Sequence, residues 1–262
     1  MFITLMIIIM LAVGYVLTKP TASNCFDFEQ TTGTITKYKE DCGGTKVKIP
    51  NKIAGTTVKK IDNYVFMEKN MESVKLPKTL EEIGTGAFES NQLTKISIPN
   101  TVTTIGDKAF RTNRLESVAI PNNIKTLGYQ SFNDNQLSKT AGFIYKHQNG
   151  TVDKNIIVGY GGTERDHVEI PEGTKIIDRD AFANNDIKEI TIPNSVESIG
   201  HGAFKSNQLT EITIPESVTT IEENVFLDNP IDTIIVKGKT DATQFKKVGK
   251  DWGTTTHIYY EK

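Results

Sequence analysis

The sequence predicts an α/β-type repeat that is mostly β, a solenoid of about seven 22-residue units with one short strand each, a hairpin insertion and two caps. Three observations lead there. Phenylalanine recurs at 66, 88, 110, 132, 182, 204 and 226, spaced by 22 except for one gap of 50. A short alternating apolar segment ending in proline recurs within most intervals, as in Lys95-Ile96-Ser97-Ile98 before Pro99. Residues 89–110, ESNQLTKISIPNTVTTIGDKAF, match residues 205–226, KSNQLTEITIPESVTTIEENVF, at 13 of 22 positions.

Each part of the unit has a physical reading. Alternation before the proline is a strand signal. Pro77, Pro99, Pro121, Pro193 and Pro215 then stop that strand, because a residue without an N–H cannot continue a ladder. Six residues after these prolines, and after Pro171, stand Ile83, Ile105, Leu127, Ile177, Ile199 and Ile221, read as core positions. Five residues after each Phe comes another apolar position: Met71, Leu93, Leu115, Leu137, Ile187, Leu209 or Ile231. Asn91, Asn113, Asn135, Asn185, Asn207 and Asn229 lie three residues after Phe and are expected to satisfy backbone groups in a buried turn. A period of this size with a strand in each unit is the signature of a leucine-rich-repeat solenoid, whose units bury their apolar sides only by stacking.

The gap of 50 holds 28 extra residues. Within them Asn149-Gly150 is a two-residue hairpin signal, since both residues tolerate positive φ. Solenoid ends need cover, so 24–58 is expected to form an N-terminal cap and 237–262 a C-terminal cap using Phe245, Trp252, Ile258, Tyr259 and Tyr260. Between them lie leucine-rich repeats at 59–138, the hairpin insertion at 139–170 and further repeats at 171–236.

Residues 1–23 read as a signal peptide or short membrane anchor. Phe2 to Leu17 carries no charge and as a helix would span roughly 24 Å, less than a ~30 Å hydrocarbon core. Export permits a disulfide between Cys25 and Cys42, the chain's two cysteines, worth about 3 kcal/mol through loop closure. Free thiols or a metal pair are the alternatives, without a CxxC partner or nearby His to favour them.

The pattern IP-N-S/T-V-x-x-I-G-x-x-A-F-x-x-N-Q-L-T-x-I-x-I-P, recurring over residues 47–236, resembles the BspA-like leucine-rich repeat of bacterial surface proteins. That resemblance implies a cell-surface or secreted binding module, often an adhesin. It implies no catalytic residue and fixes no ligand.

Little in the sequence points to chemistry. Charge is nearly balanced, 30 basic against 32 acidic residues, without a basic run for nucleic acid or anionic lipid. His147, His167, His201 and His257 lack metal-ligand spacing. Gly159-Tyr160-Gly161-Gly162 lacks the Lys-Ser/Thr of a phosphate loop and reads as a turn. We therefore expect no enzyme, no cofactor and no metal, and membrane contact only through the N-terminal apolar segment. The outward strand row Lys75, Ser97, Ala119, Ala141, Thr191, Thr213 and Ile235 offers no aromatic or Arg anchor. In the insertion, by contrast, Phe143, Tyr145 and His147 alternate onto one side with Tyr160 nearby, and these four are the candidate ligand-binding residues. The expected function is an extracellular or cell-surface adhesin-like module recognising a protein or glycan. The alternative is a structural or assembly subunit of a surface appendage, with a hydrolytic enzyme less favoured.

Overall fold

A computed structural model describes residues 21–138, 142–245, 247–249, 251–254 and 257–262. The signal-or-anchor reading of 1–23 falls almost wholly outside the described residues, as does Ala141 of the outward row. No helix among the described residues is long and apolar enough to cross a membrane.

The chain winds as a right-through stack of coils around one long sheet of 12 strands. It begins with the antiparallel pair Phe26–Glu29 and Thr34–Tyr38. Parallel two-residue rungs follow: Lys60–Ile61, Glu82–Ile83, Thr104–Ile105 and Thr126–Leu127. The antiparallel hairpin Phe143–Gln148 and Thr151–Tyr160 comes next, turning on Asn149 (φ 51°) and Gly150 (φ 80°) as expected. Ile176–Ile177, Ser198–Ile199, Thr220–Ile221 and Lys247–Val248 complete the sheet.

The continuous ladder thus runs through the aliphatic six residues after proline, and the segment before proline is the less regular side. Strands on this side pair as Lys46–Lys48 with Ser73–Lys75 and as Val168–Glu169 with Ile190–Thr191, while Thr233–Lys237, past the last proline stop, lies between Glu211–Ile214 and His257–Glu261. Residues 95–98 and 117–120, where a strand is predicted, join no ladder. Glycine follows several of the rungs in the long sheet, at Gly84, Gly106, Gly128 and Gly200, although Asp62, Asp178 and Glu222 follow others. A Cβ on Gly106 would lie 2.5 Å from the Thr85 nitrogen, and one on Gly128 would lie 2.2 Å from the Asp107 nitrogen. Without a Cβ the coils approach closely at these positions.

The phenylalanines stack through the interior. Phe66, Phe88, Phe110 and Phe132 have centroids 5.0–5.3 Å apart and planes within 7° of parallel. The stack then breaks and resumes as Tyr160, Phe182, Phe204 and Phe226, ending on Trp252. The buried apolar residues accordingly form two clusters, one on each side of the insertion. At the first end, Phe26 and Tyr38 cover Phe66, beside a Cys25–Cys42 disulfide with Cα atoms 5.5 Å apart. At the other end Trp252 and Phe245 are buried as cap residues, whereas Ile258 and Tyr259 are exposed.

Each asparagine after Phe binds the coil together. Asn113 Nδ2 donates to the carbonyls of Phe88 (2.9 Å), Phe110 (3.1 Å) and Arg111 (3.2 Å), while its Oδ1 accepts from Leu93 N–H at 3.0 Å. Asn91, Asn207 and Asn229 repeat this set. Asn185 departs from it: its side chain makes one bond, to Ala183 O, and its buried Oδ1 has no partner. The coil before Asn185 is the insertion, which lacks the regular turn whose N–H groups the amide would receive.

Asn113→Ala should therefore cost about 2–4 kcal/mol, since it orphans several buried groups at once. Asn185→Ala should cost less than about 1 kcal/mol. Urea unfolding midpoints of the two variants test this; equal losses would contradict the assigned bonding.

Candidate binding surface

The insertion is built as a partition between the two cores. Ile144 and Val158 pack on the N-terminal cluster, while Phe143, Tyr145, Ile157 and Tyr160 pack on the C-terminal one. A missing coil leaves apolar surface on both neighbours, and a two-faced hairpin covers both. The alternation of Phe143 and Tyr145 thus turns toward a core.

Tyr160, expected at a ligand site, is a core aromatic, 1% exposed. It stands 22 residues before Phe182 and occupies the phenylalanine position, with ring centroids 5.4 Å apart. Its hydroxyl donates to the Glu164 carbonyl at 3.3 Å, and burial pushes its pKa up to about 12. Phe143 lies half-buried, 5.2 Å from the Tyr160 ring. Tyr145 is half-buried too, with its pKa raised by burial. His147 is 7% exposed, and its Nδ1 has no hydrogen-bond partner. The four residues do not converge on one exposed patch.

The glycine-rich stretch is not a turn. The strand runs through Gly159 and Tyr160 and passes directly against the fourth coil. A Cβ on Gly159 would sit 2.6 Å from Asn133 Oδ1, and one on Gly161 would sit 2.2 Å from the Phe132 carbonyl. Asn133, fully buried, splices the break: Oδ1 accepts from Tyr160 N–H at 2.9 Å and Nδ2 donates to Ala181 O at 3.1 Å. Nothing in the repeat marked Asn133, but the 22-residue interval from Tyr160 to Phe182 did mark the core tyrosine.

A more continuous exposed surface lies on the pre-proline strands of the C-terminal half. One outward row runs Glu169–Thr191 and, a coil later, Thr213–Ile235–Tyr259. Tyr259 is 54% exposed, so the row does carry an aromatic, in a strand beyond the last regular repeat. Alongside, His167 Nδ1 lies 3.0 Å from Glu189 Oε2 and its Nε2 lies 3.1 Å from Thr191 Oγ1. Among the described residues, no group of three or more His, Cys, Asp or Glu side chains converges to hold a metal.

With this architecture in place, the sequence matches the BspA type leucine rich repeat region in 6 copies, over residues 34–149 and 160–247. The chain belongs to the BspA-type leucine-rich-repeat family. No curated protein is significantly similar in sequence. Among solved structures, this BspA-type chain is similar to a leucine-rich repeat protein from Bacteroides ovatus, at 18% identity and a TM-score of 0.52, over 87% of this chain and 59% of that one. It is also similar to the pneumococcal vaccine antigen PcpA, at 20% identity and a TM-score of 0.54, over 90% of this chain and 72% of the antigen. A Eubacterium ventriosum leucine-rich repeat protein aligns at 21% identity and a TM-score of 0.53, over 79% of this chain and 66% of its own. These likenesses establish the shared fold. The BspA-type chain spans under two thirds of the B. ovatus protein.

His147 gives the partition a pH dependence. Lys125, Lys146, Tyr129 and Asp178 line the same recess. Burial lowers the His147 pKa below its ordinary value, because a buried imidazolium loses solvation. The unfolded chain, with a pKa near ~6.5, then takes up the proton first, so stability present above that pH declines as pH falls toward the folded value. His147→Gln should flatten the loss of the urea midpoint between about pH 7.5 and about pH 5.5. A slope identical to that of the unsubstituted protein would place the titration elsewhere.

Proposed function

We propose that this BspA-type chain is an exported, non-enzymatic binding module of the cell surface, adhesin-like in recognising a protein or glycan. One observation carries the reading: an outward strand face with few apolar side chains, ending on exposed Tyr259, stands apart from a core filled by the repeat. Residues that build the regular coil point inward, which leaves the outer rows free to vary in chemistry without loss of fold. That the similar pneumococcal protein PcpA is a vaccine antigen supports the surface location. The apolar segment Phe2 to Leu17 supports export.

The full chain, applied to an array of surface proteins and glycans, should bind a discrete set of them. Tyr259→Ala should weaken that binding by about tenfold or more, as removal of an interface aromatic does, while Tyr145→Ala leaves it within about twofold. Loss with Tyr145→Ala alone would move the site to the insertion, and no binding at all would overturn the reading.

A further inference from the structure

The outward face lacks a ladder at residues 95–98 and 117–120, and pairing lapses again in the C-terminal half, here between two paired groups of strands. Ile190–Thr191 pairs back to Val168–Glu169, and Glu211–Ile214 pairs forward to Thr233–Lys237, yet no ladder joins these two groups. The two strands lie in adjacent coils, and a shallow cleft of about 630 Å³ opens over their unpaired edges. Backbone N–H and C=O groups on such edges require partners from outside the sheet.

The side chains around the cleft are suited to one kind of partner. Thr191, Thr210 and Thr213 contribute hydroxyls, Asn194 an amide, and Glu189 and Glu211 carboxylates. The His167 contacts to Glu189 and Thr191 hold part of this set in place before any ligand arrives. Carboxylate, amide and hydroxyl groups together exchange hydrogen bonds with adjacent hydroxyls of a polyol. Lys237 also lines the cleft, but the two carboxylates outnumber this one lysine, which disfavours a strongly anionic ligand. The outward row continues from Thr213 through Ile235 to Tyr259. Two strand spacings separate its ends, roughly 10 Å, so one sugar ring does not reach from the cleft to the tyrosine. An exposed aromatic ring offers an apolar face with a polar tip, which suits the C–H side of a sugar.

We propose that this cleft and Tyr259 together form a binding site for a neutral oligosaccharide. Its hydroxyls bond the strand edges and the cleft side chains, and one of its rings lies on Tyr259. The inference rests on the surface-binding reading above and specifies its ligand class and position.

Array profiling followed by calorimetric titration of the full chain with neutral and acidic oligosaccharides tests it. The expected result is binding to neutral oligosaccharides, weakened about tenfold or more by Glu211→Gln and by Tyr259→Ala, with thermal unfolding unchanged in both variants. Both substituted side chains are exposed, so an unchanged unfolding temperature separates lost contact from lost fold. Preference for acidic oligosaccharides, or neutral binding that survives both substitutions, overturns the assignment and leaves surface recognition standing. Binding to surface proteins without any glycan overturns this inference alone. Binding to neither overturns it together with the reading on which it rests.

Discussion

The carbonyls of a tight turn buried between coils need donors, and in this solenoid the donors sit on one asparagine per regular coil. The residue just before that asparagine adopts a left-handed conformation, as at Ser90 (φ 57°), Thr112 (φ 54°) and Ser206 (φ 54°). For a residue with a Cβ this costs roughly 1–2 kcal/mol. Nδ2 of Asn113 bonds carbonyls of its own turn and of the turn before, so one amide offsets the local strain and links two coils. A turn stabilised in this way exists only beside its neighbour. The stacked phenylalanines and the closely spaced glycines follow from the same requirement, because both need the next coil at a fixed separation.

The insertion shows what happens when that neighbour changes. A hairpin cannot reproduce the regular turn, and Asn185 consequently keeps an unpartnered Oδ1. Gln130 Oε1, Ser131 Oγ and His147 Nδ1 are buried without partners around the same break. The apolar cost is nevertheless avoided, because Tyr160 restores the aromatic position and the two hairpin faces close the two cores. Asn133, fully buried one residue after Phe132, becomes the splice. The partition is therefore well packed but poorly satisfied in hydrogen bonds, and its response to protonation follows from that imbalance.

Outside the core, paired charges keep coils in register. Lys59–Glu81, Lys175–Glu197 and Lys188–Asp166 are each 22 residues apart, at 3.1, 2.7 and 2.7 Å. Exposed pairs contribute little individually, about 0–1 kcal/mol. A slip of one coil against the next would break such pairs along the stack and place like charges together, so their effect is on register more than on stability. On the strand face between Thr191 and Thr213, where pairing lapses, hydroxyl, amide and carboxylate groups collect.

The period of Phe66 through Phe226, the proline stops and the asparagine series determined by themselves that the chain is a repeat solenoid with a hairpin at Asn149-Gly150. Those features depend on local geometry and on interval, both of which are written along the chain. Which side carries the ladder was decided only in three dimensions; close approach at Gly106 and Gly128 accompanies it there, but the same ladder also runs past Asp62, Asp178 and Glu222. The fate of the candidate site was decided there too. Alternation places Phe143 and Tyr145 on a common side, but only the packing of two incomplete cores shows that this side faces inward. Tyr259 reads as cap material because it lies past the last period. Pairing of Ile235 with Tyr259 makes it the end of the exposed row, since a parallel strand inherits the facing of the strand beside it.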